Sequence, residues 1–168
     1  MKQPAPEFSR PLQVDRVPRG GGYEKISAEP DERKALARRL DIPVLHALSA
    51  EMRATPWRGG GLKLEGALAA DVEQVSVVSL EQFRRQVSYP VLRYFLPDGK
   101  ISEHADEDAD PIVAGLVDLG EVVAETLVLE LDPYPRQDGE GLADPVEPPA
   151  DAEAKVSPFA KLAGLKPK

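Results

Sequence analysis

The sequence predicts an α+β fold: a mostly antiparallel β-sheet or partly open barrel with two main helices and a disordered acidic C-terminal linker. Apolar residues alternate with a period of two over several stretches, and two other stretches combine helical spacing with capping residues. The 17 prolines among 168 residues exclude a long helical bundle or coiled coil. Because the chain is 42% hydrophobic but only 5% aromatic, its core has to consist mainly of Leu, Val and Ala.

The first third of the sequence predicts two strands and a helix. Residues 8–17 alternate loosely, and a proline within them indicates an edge strand because proline cannot donate to a ladder. The glycines at 20–22 make a turn into a short partner strand at 23–27. Pro30 suits the first turn of a helix, which the Asp-Ile-Pro sequence at 41–43 ends.

The middle of the sequence predicts three strands. Residues 44–56 alternate, and the glycines at 59–61 connect them to a second strand that starts at Leu62. In that strand the apolar register shifts after Val72, so we expect a β-bulge or bend at the next two residues. The third strand, at 86–96, ends in a Pro-Asp-Gly turn.

The last clear element is a helix that follows an acidic segment. Residues 102–111 show no periodicity and predict a solvated loop. Asp118 and Glu121 have the spacing of a capping box, and apolar residues at helical spacing follow them. A Pro-rich run at 132–135 ends this helix.

These elements predict a single α+β domain over residues 1–135, followed by an acidic, Pro-rich flexible linker at 136–156. The last segment, 157–168, is apolar again and regains positive charge. We expect it to be a short helix that orders on a binding partner, the alternative being that it folds back onto the sheet of its own domain. The residues of this partner-binding motif are Pro158, Phe159, Leu162, Leu165 and Lys166.

The residue types present argue against several function classes. Without cysteine there are no disulfides, thiolate zinc sites or iron–sulfur clusters. The two histidines are far apart in sequence, no phosphate loop follows the glycine runs, and the acidic residues 106–110 lack the glycine and glutamate of a calcium loop. We therefore expect no enzymatic activity, no metal, no cofactor and no small-molecule substrate. With neither an apolar leader nor a membrane-length apolar run, we expect a soluble cytoplasmic protein without a membrane partner.

The net charge of −8 conceals a mildly basic first part. Residues 1–100 hold 16 Lys and Arg against 13 Asp and Glu, whereas residues 101–168 hold 5 against 16. Arginine clusters with interleaved aromatics (Trp57, Phe83, Tyr89 and Tyr94) suit RNA phosphates and unpaired bases, although composition alone favours an ordinary salt-bridged surface. The candidates for RNA contact are Arg33, Lys34, Arg38, Arg39, Arg53, Arg58, Lys63, Arg84, Arg85 and Arg93.

Three stretches of the sequence carry motifs of one family. Residues 72–83 are similar to a strand segment that usually holds Cys-x-x-Cys-Leu-Glu-Pro-Phe, and residues 117–136 to an acidic helix that runs into a proline turn. Residues 157–166 resemble a closing Pro-Phe-Ala-x-Leu-x-x-Leu-Lys. In this order and spacing, the chain resembles the YceD family, the bacterial large ribosomal RNA subunit accumulation proteins.

The resemblance implies a non-enzymatic ribosome biogenesis factor that supports processing and accumulation of 23S rRNA. Its implied partners are 23S rRNA or its precursor and assembly intermediates of the large ribosomal subunit. Ser76 and Ser79 stand where many members carry a cysteine pair, so a metal site of those relatives is not carried over to this cysteine-free variant. Two alternatives stay open. One is a protein–protein adaptor that binds a ribosomal protein or processing nuclease without RNA contact, and the other is a hydrolase that uses loop carboxylates.

Overall fold

The computed structural model describes residues 6–97 and 109–140. The chain divides into two compact units, Met1–Asp138 and Gly139–Lys168, and the fold below is that of the first. Over the described residues it contains helices α1 (Pro30–Arg39) and α2 (Leu119–Glu130) and strands β1 (Pro11–Gln13), β2 (Gly22–Ser27), β3 (Val44–Trp57), β4 (Gly61–Val75), β5 (Gln82–Pro97), β6 (Ala109–Ile112) and β7 (Leu116–Asp118). Neither helix of this described part is long and apolar enough to cross a membrane.

The strands form one large open sheet and one small one. The large sheet has the order β2-β3-β4-β5-β6, in which only the β5–β6 pair is parallel. The small sheet pairs β1 with β7 antiparallel. The predicted α+β class with mostly antiparallel strands is therefore confirmed, and the sheet is open rather than closed into a barrel.

The large sheet is buried on one face, where both helices pack. Alternate residues of β4, including Leu64, Leu68 and Val72, are fully buried there. Helix α1 packs against β3 and helix α2 against β5. The helices contribute Leu36, Ala37, Val122, Val123 and Leu127 to the same core cluster. The Leu-, Val- and Ala-rich core expected from composition is thus formed by the period-two face of the strands and the apolar stripes of the helices.

The opposite face of the large sheet is uncovered by any described element. Glu65, Ala67 and Ala69 of β4 are all exposed there. On β5 their cross-strand neighbours Ser88 and Leu92 are exposed as well. The sheet therefore presents an open face to solvent, called the outer face below.

Strands β3 and β4 approach each other closely at Gly66. A Cβ atom at Gly66 would overlap the carbonyl oxygen of Glu51 and lie 2.7 Å from the Cα of Met52. Both are backbone atoms, which no side-chain rotation can move out of the way. The close approach therefore requires glycine at this position.

The predicted helix ends agree with the structure. Asp118 caps α2 by accepting hydrogen bonds from the backbone N–H groups of Gly120 (3.0 Å) and Glu121 (3.4 Å). Its carboxylate also accepts from the backbone N–H of Arg10 (2.7 Å), which ties the N-terminal segment to the start of α2. Pro30 is the first residue of α1, as its fixed φ predicts.

The predicted bulge in the second central strand is wrong, because the irregularity lies in β3. The pairing of β3 with β4 shifts between Leu45 and Ala47. As a result Leu45 is buried, whereas Val44 is 37% exposed. In β4 the pairing with β5 continues without a register shift through Val75, and Gln74 is buried whereas Val75 is exposed. A polar residue thus occupies an interior position, and the apolar pattern alone suggested a slip.

Two further predictions are corrected in extent. Within residues 8–17 only β1 is a strand, because the chain then enters a 3-10 turn in which the Val14 N–H donates to the carbonyl of Gly115 (3.1 Å). The acidic loop predicted at 102–111 ends in a strand, β6, whose Asp110 is paired with Arg93 on β5. Its residues up to 108 lie outside the described residues.

The predicted C-terminal linker and partner-binding motif also fall mostly outside the described part of the chain. Only residues 136–140 of the linker are described. The division into a domain, a linker and a motif stays a prediction.

Candidate nucleic-acid interface

The tight connection between β3 and β4 brings basic and aromatic side chains to one end of the outer face. Gly59 and Gly60 adopt positive φ values of 70° and 79°, a conformation that suits glycine. The register that follows places Lys63 opposite Tyr94 of β5 and Thr55 of β3. The glycine run therefore sets the position of the residues on both sides of the turn.

Six residues form this cluster, called the sheet-end patch: Tyr23, Arg53, Trp57, Arg58, Lys63 and Tyr94. The rings of Trp57 and Tyr94 lie 4.8 Å apart between centroids, tilted by 45°. The Arg58 guanidinium lies 4.6 Å from the Trp57 centroid. The Arg53 guanidinium lies over Tyr23, at 5.6 Å. Cations and aromatic faces thus alternate across the patch.

The sheet-end patch contains three basic side chains, Arg53, Arg58 and Lys63. The carboxylate of Glu65 lies 2.6 Å from the Lys63 ammonium. This hydrogen bond raises the pKa of Lys63 and lowers that of Glu65, so both groups are charged at neutral pH. The Arg53 guanidinium donates to the carbonyl of Gly20 at 2.8 Å, which holds it over the sheet.

A cleft of about 690 Å³ opens beside the patch. Trp57 and Gly60 line one part of it, and the other lining residues include Val14, Asp15 and Leu116. Its volume is within the range of small-molecule sites, and its lining is mostly apolar. Part of the Trp57 side chain therefore borders an open cleft.

A second basic cluster lies at the opposite end of β3, where α1 packs on the sheet. A groove of about 480 Å³ is lined by Arg33, Lys34, Arg38 and His46 among apolar residues. The Arg33 guanidinium donates to the carbonyl of Ala28 at 3.0 Å. Lys34 makes an exposed ion pair, and Arg38 is exposed. This arrangement, called the helix groove below, presents cations without an acid in its lining.

Four candidates lie outside these two clusters, and three of them form ion pairs with acidic residues. Arg39 and Arg93 each lie between two carboxylates in a separate groove. Arg84 forms two hydrogen bonds to the buried Asp71, at 2.6 Å and 2.8 Å, which lower the pKa of that carboxyl. Arg85 is exposed on the strand next to Arg84.

The structure therefore separates the candidates into clusters rather than gathering them on one face. Strand β3 spans 14 residues from the helix groove to the sheet-end patch, which corresponds to about 40 Å of extended chain. Of the aromatics expected to interleave, Tyr89 packs against the core and is not a stacking face. Tyr23, which the sequence did not single out, joins the patch instead because the β2–β3 register places it opposite Arg53.

The described residues include His46 and the serine pair, Ser76 and Ser79. The Nε2 atom of His46 lies 3.3 Å from the Glu73 carboxylate, and no group of three potential ligands in the described ranges could hold a metal ion. Ser76 is fully buried, and its Oγ accepts hydrogen bonds from the backbone N–H groups of Val78 (3.1 Å) and Ser79 (3.3 Å). The serine hydroxyl thus shapes the turn between β4 and β5.

Comparison with known proteins identifies a family. A search of curated proteins and a search of solved structures each found no match to the chain. One family model, described as large ribosomal RNA subunit accumulation protein YceD, matches residues 64–166, which is more than half of the chain. This range includes Tyr94 and Arg84, whereas Arg53, Trp57 and Arg58 precede it. The chain therefore belongs to the YceD family of large ribosomal RNA subunit accumulation proteins.

Proposed function

We propose that the chain supports the accumulation of large-subunit rRNA by binding that RNA or its precursor directly, through the sheet-end patch. The observation that carries the proposal is the contact of Trp57 with both Tyr94 and Arg58 at the end of an uncovered sheet face. The family supplies the link to large-subunit rRNA, and the patch supplies the means of contact.

The chemistry of the patch suits RNA with unpaired bases. Unpaired bases stack on aromatic side chains and arginine planes, while arginine and lysine bind the phosphates. A base that enters the cleft beside Trp57 would lie against the indole, with Arg58 and Lys63 near its backbone. Such stacking contributes about 1–3 kcal/mol per base, so a single ring is a large part of the binding free energy.

The helix groove adds a second phosphate contact to this proposal. Arg33, Lys34 and Arg38 line it, and the lining contains no acidic residue, although Lys34 also pairs with Asp31 at 3.3 Å. Because it lies at the far end of β3, about 40 Å of extended strand away, one RNA has to be folded or long to reach both clusters. The proposal therefore favours structured rRNA fragments over short oligonucleotides.

Binding of large-subunit rRNA fragments by the full chain tests the proposal. The patch variant combines Trp57→Ala with Lys63→Gln. Its matched control combines Tyr134→Ala with Lys25→Gln, because Tyr134 is an exposed ring outside the patch and Lys25, like Lys63, pairs with a glutamate at 2.6 Å. Filter binding over a series of salt concentrations gives both affinity and its dependence on salt.

The proposal predicts that the patch variant binds RNA at least tenfold more weakly than the control. The affinity of the patch variant should also fall less steeply with salt concentration, by the equivalent of about one phosphate contact. Equal affinities of the two variants would reject the patch as the RNA site. If the unmodified chain binds no rRNA fragment at low salt, direct RNA contact is rejected and the adaptor alternative is favoured.

A further inference from the structure

A second large groove lies on the side of the molecule that carries α2, away from the outer face. It has a volume of about 890 Å³ and is bounded by the start of α2, the ends of β5 and β6, and the N-terminal segment. Phe95, Val117 and Val122 form a buried apolar floor. Val113 stands at the rim with 69% of its surface exposed. The groove thus offers an apolar base and an apolar edge.

The charged residues around this groove are predominantly acidic, and we call it the acidic groove. Five carboxylates face two guanidinium groups. They are Glu7, Asp110, Asp118, Glu121 and Glu125 against Arg39 and Arg93. The lining therefore keeps an excess of three negative charges next to apolar side chains, a combination that repels phosphates and attracts cations.

Each arginine holds one carboxylate closely and a second one loosely. Arg39 lies 2.8 Å from Glu121 and 3.2 Å from Glu7. Arg93 lies 2.6 Å from Asp110 and 3.2 Å from Glu125. Both loosely held side chains are partly exposed, Glu7 by 36% and Glu125 by 42%. These two carboxylates can accept hydrogen bonds from an incoming cation while each arginine keeps its closer partner.

We infer that the acidic groove binds a peptide segment of a partner protein in which an apolar side chain is flanked by arginine or lysine. The apolar side chain lies on the floor near Phe95 and contacts Val113 at the rim. Flanking guanidinium groups pair with Glu7 and Glu125, since arginine matches a carboxylate with two parallel hydrogen bonds. This inference goes beyond RNA binding and does not depend on it, because the groove shares no residue with the sheet-end patch.

Fluorescence anisotropy with the full-length chain tests the inference. The probe is a labelled 12-residue peptide of alternating Leu and Arg, and its counterpart has Glu in place of each Arg. The groove variant Glu7→Gln with Glu125→Gln removes two charges but leaves each arginine its closer partner. Its matched control, Glu81→Gln with Glu130→Gln, removes two exposed carboxylates outside the groove.

The cationic peptide is expected to bind and its acidic counterpart to fail. The groove variant should weaken binding roughly tenfold at low salt, whereas the control should change it by less than about twofold. Replacing the rim residue in Val113→Ser should also weaken binding, and Val128→Ser, an equally conservative change outside the groove, should not. Unchanged melting temperatures in all variants show that the effects do not come from unfolding.

Several results would overturn the inference. Equal binding of the two peptides, or equal affinities of the groove variant and its control, would show that charge in the groove does not select the ligand. Self-association that Val113→Ser abolishes would make a second copy of the chain the occupant. Tighter peptide binding after Phe159→Ser would make the chain's own C-terminal segment the occupant. Loss of RNA binding in the Trp57→Ala variant has no bearing on peptide binding or self-association. Each proposal can therefore be rejected without rejecting the other.

Discussion

Shortening one leucine on each face of the large sheet tests whether that sheet is buried on one side only. Leu68 lies on the helix-packed face, is 0% exposed, and sits opposite Ala50 and Tyr89. Leu92 lies on the outer face of the same sheet and is 54% exposed. Leu68→Ala and Leu92→Ala remove the same atoms from the two faces, so their difference measures burial alone.

The expected magnitudes follow from the exposures. Truncating a fully buried leucine costs about 3 kcal/mol or more, because it loses both transfer free energy and packing around the cavity. For a folded unit of 138 residues the unfolding entropy corresponds to about 0.3 kcal/mol per degree, so Leu68→Ala should lower the melting temperature by about 10 °C. The half-exposed Leu92 should cost about 1 kcal/mol or less, a fall below about 4 °C.

Thermal unfolding followed by circular dichroism, together with urea titration at 25 °C, measures both variants against the unmodified chain. If Leu92→Ala destabilises the protein as much as Leu68→Ala, the outer face is covered in solution. That result would refute the open face on which the sheet-end patch depends.

Two further predictions concern the same sheet. Gly66→Ala should lower the melting temperature by several degrees because its Cβ has to displace strand backbone, whereas Gly20→Ala, where no atom lies within 4 Å, should change it little; differential scanning calorimetry compares the two. The hydrogen bonds from Arg84 place the pKa of Asp71 below its ordinary value of 3.8, so the stabilisation is present above that pH and is lost as pH falls through the lower, folded value. Urea titrations from pH 6 to pH 2 should therefore show a shallower acid loss in Arg84→Met than in the unmodified chain, and parallel curves would contradict this coupling.

The helices could be predicted from the sequence because their signals are local. Pro30 fixes the start of α1, and Asp118 caps α2 with its own side chain. The central strands could be predicted for a similar reason, since one buried face imposes a period of two. The bulge at His46 could not be predicted, because it depends on how β3 pairs with a strand more than twenty residues away in the sequence.

Long-range pairing also explains the other differences. Part of the acidic segment forms strand β6, in which Asp110 pairs with Arg93 of the neighbouring strand, and no local pattern reveals that partner. The candidate RNA residues beside the glycine turn could be placed from the sequence, since turn and residues are adjacent. The contact of Trp57 with Tyr94 depends on the register of β4 with β5, and the pairing of Arg39 with Glu121 joins two helices. The composition gives the number of charged residues but not which of them form ion pairs with one another.

Replacement of the chain in its own cells tests the central claim most directly. Cells depleted of the unmodified chain receive either Trp57→Ala with Lys63→Gln or the matched control Tyr134→Ala with Lys25→Gln, at equal protein levels. The measurement is the ratio of mature large-subunit to small-subunit rRNA, determined by quantitative hybridisation. The account predicts that the control restores this ratio and the sheet-end patch variant does not. Full restoration by the patch variant would contradict the claim that this patch supports the accumulation of large-subunit rRNA.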